Sequence, residues 1–330
     1  MSMAFTNKLA IASVSLGQHP SHTLDQKMAA ASHHGFSGIE IVYSDLEAFS
    51  KSNDLTILKG ADTAKSLCKK HNLTILSLNP FKNFEGHNSP FISRITVAQH
   101  WLAVARRLGA IYLQVPSQFD PNSTGDRTTS VSELRQLADL AASEELVVSI
   151  AYEAVAWATH NTTWQSSLEI VEAVDRPNFG ICLDSFHIMS LLWGDNSVAG
   201  GIRPEGPAEL EASLTDLVHN CPLERIFYIQ ISDAELFDPP LGPGHELYNE
   251  KDDRRLIWSR KARPFPLERE FGGYFPVAEF VNKCLVEKKW KGWVSFEVFD
   301  RRMLEAGNGP EKAAERGRRS WERILEALSS

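Results

Sequence analysis

Short apolar runs alternate with longer segments of helical period along most of the chain. The runs are nearly continuous in hydrophobic residues, a pattern typical of parallel strands that are covered on both faces. The eight predicted strands are 9–16, 38–43, 73–78, 110–115, 146–152, 178–183, 225–231 and 292–298. The eight predicted helices, one after each strand, are 23–34, 60–71, 92–108, 130–143, 163–174, 207–220, 276–288 and 310–328.

Eight β/α units in a chain of this size predict a (β/α)8 TIM barrel, and we take residues 1–330 as one domain. A doubly wound open sheet is the alternative. Such a sheet seldom has eight repeats, and it would carry a glycine-rich turn after its first strand, where Gly17 stands alone. The barrel is therefore the predicted fold.

The longest interruption of this pattern lies between the seventh strand and the seventh helix, at residues 233–274. It is rich in proline, glycine and charge, and in a barrel it would emerge at the carboxyl ends of the strands, where the active sites of this fold are built. A disordered surface segment is the alternative, but such segments are poor in aromatic residues. This segment contains Trp258, Phe265, Phe271 and Tyr274. We therefore predict an active-site loop insertion over residues 233–274.

The composition argues against several classes of protein. With a formal net charge of −8, the chain has no basic footprint for nucleic acid and no polybasic patch for a membrane. Its four cysteines are scattered without a CxxC pair, so neither a disulfide framework nor a structural zinc site is expected. The first residues lack the pattern of a signal peptide, and no apolar stretch reaches about 18 residues. The predicted location is the cytoplasm.

Oxygen-bearing side chains stand at the ends of the last four predicted strands, and these are Glu153, Asp184, Gln230 and Glu297. A barrel brings all four strand ends to one mouth. Buried carboxylates are costly unless they are paired or bound to a cation, and an all-oxygen set selects Mg²⁺ or Mn²⁺ over zinc. Any one of the four alone would be interpreted as a helix cap or an ion-pair partner. Together they predict a site for a divalent metal ion.

Two further residues are candidates for acid–base catalysis. His187 follows Asp184 by three residues, a spacing that suits an imidazole beside the metal ligands or facing the substrate. Such an imidazole could transfer a proton near neutral pH, and a capping or packed histidine is the alternative. Glu40 closes the second predicted strand. It is either a catalytic carboxylate or an ion-pair partner inside the barrel, and the sequence leaves both open.

Basic residues in two predicted mouth loops indicate an anionic substrate. Arg260 and Arg263 lie in the insertion, where guanidinium groups would hold a substrate carboxylate through two parallel hydrogen bonds. Solvated loop charges are the alternative. Lys82 and Glu85 follow the third strand, in another loop that could face the substrate. We predict that Arg260, Arg263 and Lys82 bind a small anionic substrate.

Several stretches, in order along nearly the whole chain, resemble the xylose-isomerase-like barrel superfamily. Within it, the chain most resembles the 3-dehydroshikimate dehydratases of the fungal quinate pathway and their bacterial relatives. The stretches are LAIASVSLG at 9–17, YEAVAW at 152–157, RPNFGICLDSFHI at 176–188, YIQISDAE at 228–235, PGHELYN at 243–249, IWSRKARPFP at 257–266 and KGWVSFEVFDRRM at 291–303. RPNFGICLDSFHI together with the WSR loop is the specific part of this resemblance.

The resemblance implies a metal held by Glu, Asp, Gln and Glu from the last four strands, at the four positions named above, with cobalt accepted besides magnesium or manganese. It implies proton transfer at His187 and substrate contacts at Arg260 and Arg263. Lys82 departs from the arginine of bacterial relatives, since it keeps the charge but not the bidentate fork. The implied reaction is loss of water from 3-dehydroshikimate through an enolate, giving protocatechuate in quinate or shikimate catabolism. His187 is the expected base, with Glu40 or a metal-bound water as alternatives.

Three other functions are consistent with a barrel of this kind. A sugar or cyclitol isomerase, epimerase or dehydratase would use the same metal site, but neutral substrates have no need of clustered arginines. A DNA-repair endonuclease would need a histidine-rich zinc cluster and a basic face, which the chain lacks. A barrel without catalysis could serve as a binding protein, although all four predicted ligands are present. The sequence leaves open whether the chain forms a homo-oligomer.

Overall fold

The computed structural model describes residues 5–329, and eight parallel strands of this part of the chain close into a barrel. In chain order the strands are β1 (Leu9–Ala12), β2 (Gly38–Val42), β3 (Thr74–Asn79), β4 (Tyr112–Pro116), β5 (Ser149–Glu153), β6 (Phe179–Asp184), β7 (Ile226–Ile231), β8 (Ala262–Arg263), β9 (Trp293–Phe296) and β10 (Phe299–Asp300). β9 pairs with β7 on one side and β1 on the other, which closes the sheet, while β8 and β10 form a separate antiparallel ribbon. The predicted TIM barrel is confirmed.

Helices follow the barrel strands and cover the outside of the sheet. They are α1 (Leu24–His33), α2 (Tyr43–Ser52), α3 (Ile57–Lys70), α4 (Phe91–Leu108), α5 (Arg127–Ala142), α6 (Trp164–Val174), α7 (Ser185–Leu192), α8 (Gly206–Asn220), α9 (Arg254–Lys261), α10 (Val277–Val281) and α11 (Pro310–Ser329). α10 continues as a π-helix over Asn282–Glu287. No helix within residues 5–329 has both the length and the apolar character needed to cross a bilayer.

Three of these helices, α2, α7 and α9, were not predicted, and α7 shows why. Its sequence SFHIMSLL follows the apolar strand β6 without a polar break, and its residues Ser185–Ser190 are all buried. A helix covered on every side has no polar stripe to reveal its period. The start of the helix is fixed locally instead, because the Asp184 side chain accepts a hydrogen bond from the backbone N–H of Phe186 at 2.7 Å.

The predicted insertion over 233–274 packs onto the barrel through α9 and the β8–β10 ribbon. Trp258 and Phe265 are buried within the core. Glu268, also buried, accepts hydrogen bonds from Arg316 of α11 at 2.7 and 2.8 Å. Apolar burial and an ion pair therefore hold this segment beside the carboxyl ends of the strands.

An apolar layer fills the middle of the barrel and supports the site above it. Its buried members are Ala10, Leu76, Ala151, Cys182 and Tyr228. Two residues further along β5, β6 and β7 come Glu153, Asp184 and Gln230. Because alternate residues of a strand point to the same face, these polar side chains lie above the apolar layer, at the carboxyl ends of their strands.

Candidate active site

A cavity of about 400 Å³ opens at the carboxyl ends of the barrel strands. Its walls come from the ends of β2 to β5, from the loop after β3, from residues 259–263 of the insertion and from the segment after β9. Six of the nine residues predicted to form the site line it, and these are Lys82, Glu153, His187, Arg260, Arg263 and Glu297. Asp184 adjoins the cavity through its contacts with His187 and Arg263.

Three side chains converge closely at the floor of this cavity and just beside it. Glu153, Asp184 and His187 each offer one atom within 4.8 Å of the other two, and all three are buried. Nε2 of His187 lies 3.6 Å from Glu153 Oε1 and 3.6 Å from Asp184 Oδ2. Glu153 Oε1 is buried without a hydrogen-bond partner among the described residues. This oxygen is therefore available to a cation.

Burial raises the pKa of two carboxyl groups of this site, Glu153 and Glu297. It holds the pKa of Glu153 well above the usual value, and repulsion from Glu297 and Asp184 adds to the effect. Burial also raises the pKa of Glu297 to about 8, against the opposing influence of Arg263. These shifts mean that the negative charges are under-compensated by the surrounding protein. A bound cation would supply the missing compensation.

Arg263 is an interior cation that holds two of these carboxylates. Its side chain is 1 % exposed, and Nη2 donates to Asp184 Oδ2 at 2.7 Å while Nη1 lies 3.3 Å from Glu297 Oε2. Nε donates to Ser232 Oγ at 2.9 Å, and the guanidinium lies over the Phe186 ring, 4.5 Å from its centroid. Most of its donors therefore reach protein partners, which the prediction of a substrate contact did not anticipate.

His187 is oriented by a backbone group. The N–H of Ala156 donates to Nδ1 of His187 at 3.0 Å, and the Trp157 ring packs edge-on against the imidazole. Burial lowers the pKa of His187 to about 4, so the ring is neutral at pH 7. Because Nδ1 accepts a hydrogen bond, the neutral ring carries its hydrogen on Nε2. Nε2 is thus a donor toward the carboxylates, and the expected role as a base would require the opposite tautomer.

Glu40 lies in the middle of β2 and not at its end as predicted, and it is completely buried inside the barrel. Its two oxygens accept hydrogen bonds at 2.5–3.1 Å from five side chains, which are Ser77, Asn79, Tyr228, Gln230 and Ser295. With this many donors, no lone pair remains directed at a substrate. All five donors are uncharged, so Glu40 forms no ion pair with the described residues, and its predicted catalytic role stays a prediction that this saturation disfavours.

Gln230 connects Glu40 to the carboxylate cluster. It is completely buried and pairs directly with Asp184 across the β6–β7 ladder. Its Nε2 lies 3.1 Å from each oxygen of Glu40, while its Oε1 accepts a weak hydrogen bond from the Cys182 thiol at 3.2 Å. The amide therefore turns its nitrogen toward Glu40 and its oxygen toward β6.

Two other basic residues of the cavity make no hydrogen bond or ion pair with any residue of 5–329. Arg260 and Lys82 are exposed at its wall, and among the described residues neither makes a hydrogen bond or an ion pair. Partial burial lowers the pKa of Lys82, and repulsion from the nearby Arg260 lowers it further, while attraction to Glu297 and Glu153 acts in the opposite direction. Two neighbouring cations without a direct ion pair favour an anion between them.

Sequence reasoning missed several residues of the site, of which Gln114 is the clearest. Gln114 on β4 lines the cavity, and its Nε2 donates to Glu153 Oε2. It is a polar residue inside an apolar strand, the same signal that identified Gln230. Tyr43 and Trp101 were also missed, and they stack at the cavity wall with ring centroids 4.1 Å apart. Only the fold brings these two together.

Glu85 was considered for the substrate loop but lies behind the site. It is 2 % exposed, and its Oε1 accepts from the backbone N–H of Gln118 at 2.7 Å and from the Tyr152 hydroxyl at 3.0 Å. Burial raises the pKa of Glu85 to about 7. Its contacts show a residue that fixes the loop after β3 to β5.

Comparisons with known proteins agree with this geometry. Residues 28–324 match the family described as xylose isomerase-like TIM barrel. The chain is 35% identical to a 3-dehydroshikimate dehydratase of Neurospora crassa, over 98% of this chain and 94% of the relative. It is 32% identical to a 3-dehydroshikimate dehydratase of Pseudomonas aeruginosa, over 88% of this chain and 38% of the longer relative. A solved xylose isomerase-like TIM barrel/4-hydroxyphenylpyruvate dioxygenase fusion protein superposes with a TM-score of 0.76 at 26% identity, over 98% of this chain and 43% of that one.

Proposed function

The chain belongs to the xylose isomerase-like TIM barrel family, and we propose that it is a 3-dehydroshikimate dehydratase, which removes water from 3-dehydroshikimate to give protocatechuate. One observation carries this proposal. A single cavity has a cluster of buried carboxylates with a histidine at its floor and two unpaired cations, Arg260 and Lys82, at its wall. Such a cavity suits a small substrate that has both a carboxylate and neighbouring oxygens.

The carboxylate cluster fits a divalent cation. Glu153 Oε1 is buried without a partner, and the pKa values of Glu153 and Glu297 are raised by burial, so a positive ion would be stabilising there. We assign the ion to Glu153, Asp184, Gln230 and Glu297, and the oxygen-rich set favours magnesium or manganese, with cobalt as a substitute. When bound, the ion would act as a Lewis acid that stabilises negative charge on the substrate's oxygens.

Arg260 and Lys82 would hold the substrate by its carboxylate. Since neither forms an ion pair with another described residue, binding an anion would relieve their mutual repulsion without breaking an existing ion pair. Held at this end, the ring would extend toward the carboxylate cluster, and the reacting carbon atoms would lie near His187. Arg263 contributes differently, by holding Asp184 and Glu297 in place.

The reaction requires that a C–H proton leave next to the ketone and that the β-hydroxyl depart as water. We assign to His187 a hydrogen bond from Nε2 to the departing hydroxyl, because the Ala156 bond keeps the hydrogen on that nitrogen. Of the three bases weighed from the sequence, His187 lacks a free lone pair and Glu40 is occupied by donors. We therefore assign the C–H proton to a water beside the carboxylates, which returns it to the departing hydroxyl, so that water leaves and the protonation of the protein is unchanged. Aromatisation after water is lost makes the overall reaction favourable.

A neutral sugar or cyclitol would leave Arg260 and Lys82 unpaired inside the complex, which disfavours the rival reactions on this barrel. The proposal is tested by comparing 3-dehydroshikimate with ketohexoses and inososes as substrates at equal enzyme and metal concentrations. Turnover of 3-dehydroshikimate alone supports it. Turnover restricted to a neutral polyol would refute the proposed substrate but would leave the proposed metal site unaffected. We further propose that this activity serves quinate catabolism in the cytoplasm.

A further inference from the structure

The Glu40 carboxylate lies inside the barrel and accepts hydrogen bonds from side chains of three other strands. Ser77 and Asn79 belong to β3, Tyr228 and Gln230 to β7, and Ser295 to β9, while Glu40 itself stands on β2. Burying a carboxyl group is costly, and an apolar side chain would fill the same space without that cost. The position therefore calls for a reason connected with the groups that it contacts.

Gln230 is the contact that reaches the candidate metal site. The side of the Gln230 amide that faces Glu40 is its NH₂ group, which donates to the Glu40 carboxyl oxygens. The 3.1 Å distances from Nε2 to both Glu40 oxygens show that the NH₂ group is shared between them. The amide oxygen is thereby turned toward β6, where it accepts from the Cys182 thiol at 3.2 Å, and Asp184, two residues further along β6, is the ladder partner of Gln230.

The opposite amide orientation would be unfavourable on both sides. It would place the Gln230 oxygen against the Glu40 carboxylate and direct an N–H toward the cation, which accepts no hydrogen bond. The Cys182 thiol, a weak donor, would not compensate for either loss. Glu40 therefore selects one of two amide orientations that would otherwise compete.

We propose that Glu40 is a positioning residue for the metal site, which holds Gln230 so that its amide oxygen faces the ion. The inference rests on the proposed function only in taking Gln230 as a metal ligand. Residues that orient metal ligands typically change metal affinity about 10- to 100-fold when they are replaced. Glu40→Gln is the direct test, because it keeps the shape of the side chain but can present an N–H to either end of Gln230.

The experiment measures Mn²⁺ and Co²⁺ affinity by calorimetric titration of protein stripped with chelator, with folding followed by circular dichroism. Glu40→Gln is expected to weaken both ions about 10- to 100-fold. The matched control is Glu133→Gln on α5, which also removes a buried carboxylate, one that accepts from Arg94 outside the cavity. The control should lose stability but keep the metal affinity of the original chain.

An exchange of the two groups separates positioning from a merely structural role. Glu40→Gln combined with Gln230→Glu keeps the total charge, and the carboxylate now at position 230 offers an oxygen in either orientation. This double variant should recover most of the lost metal affinity. Unchanged affinity in Glu40→Gln, no recovery in the double variant, or unfolding of both would overturn the inference. Absence of metal binding in the original chain would instead refute the metal site of the proposed function, whereas intact binding without turnover would refute only its substrate.

Discussion

The backbone N–H of Ala156 donates to Nδ1 of His187 at 3.0 Å, at the point where β5 has just ended and α7 begins. This bond decides which ring nitrogen can lose or gain a proton. The neutral imidazole then carries its hydrogen on Nε2, 3.6 Å from Glu153 and from Asp184. The histidine is therefore arranged as a hydrogen-bond donor rather than as a base.

Replacement of His187 distinguishes these two roles. In His187→Gln, the side-chain oxygen can accept from Ala156 and the amide nitrogen can donate where Nε2 does. We expect this variant to keep roughly a tenth or more of kcat, whereas His187→Leu, which can do neither, should lose about 100-fold or more, a loss typical of a missing proton-transfer or charge-stabilising group. Steady-state kinetics on both variants provide the measurement. Equal, near-complete loss in both would restore the role of base.

The buried ion pair of Arg263 with Asp184 and the unpaired Arg260 predict opposite effects for two similar substitutions. Arg263→Met removes one partner of a buried pair and should lower the free energy of unfolding by about 3–5 kcal/mol. Arg260→Met should change it by less than about 0.5 kcal/mol, because the side chain is exposed and unpaired. Instead it should raise KM roughly 10- to 100-fold through loss of a charged hydrogen bond to the substrate.

Urea unfolding and substrate titration of the same two preparations check this contrast. A stable Arg263→Met protein whose defect is confined to KM would return Arg263 to the substrate-binding role expected from the sequence. A raised KM in Arg260→Met without a change in stability is the result that our assignment requires.

Lys82 predicts a loss of substrate binding at alkaline pH. Burial and repulsion from Arg260 lower its pKa, so the ammonium loses its proton at a lower pH than an ordinary lysine. Since only the charged form attracts a carboxylate, KM should rise as pH increases through that lowered pKa. In Lys82→Arg, which keeps its charge in proteins, the rise should disappear. KM measured between about pH 7 and 10 tests this, and an identical alkaline limb in the variant would assign it to another group.

Glu85 predicts a stability that falls with pH. Its pKa in the folded protein, about 7, exceeds the ordinary 4.5, so its contribution is fully present below pH 4.5 and is lost as pH rises through about 7. The shift corresponds to about 3 kcal/mol once the group is ionised. Glu85→Gln, which stays neutral and can accept the same bonds through its oxygen, should lose less stability between about pH 5 and 8.5. The free energy of unfolding is measured with urea for both proteins at both pH values. An equal change with pH in the two proteins would contradict the assignment.

The sequence was sufficient for the barrel because its strands are short, apolar and separated by helices of regular period. It was also sufficient for the residues at the strand ends, since an acidic or amide side chain at the end of an apolar run is conspicuous. Glu153, Asp184 and Glu297 were found in this way and do gather around Arg263 and His187. Their role as metal ligands stays a prediction.

What a residue does with its hydrogen bonds could not be read from the sequence. Glu40 and Glu153 are both acidic residues of apolar strands, but one is saturated by donors and the other has an unpartnered oxygen. Arg260 and Arg263 are three residues apart, yet one is exposed and the other is held by Asp184. These differences arise from tertiary contacts between distant strands. Helix α7 was missed for a related reason, because complete burial removed its polar stripe.

The central claim is a metal-dependent dehydration of 3-dehydroshikimate. The most direct test follows protocatechuate by absorbance, with purified protein before chelation, after chelation, and after return of Mg²⁺, Mn²⁺ or Co²⁺, alongside Glu297→Ala. We predict aromatic product that disappears with the chelator and returns with the ion, and a Glu297→Ala variant that loses most metal binding and activity. No product with any of the three ions, or full metal binding and activity in Glu297→Ala, would contradict the account.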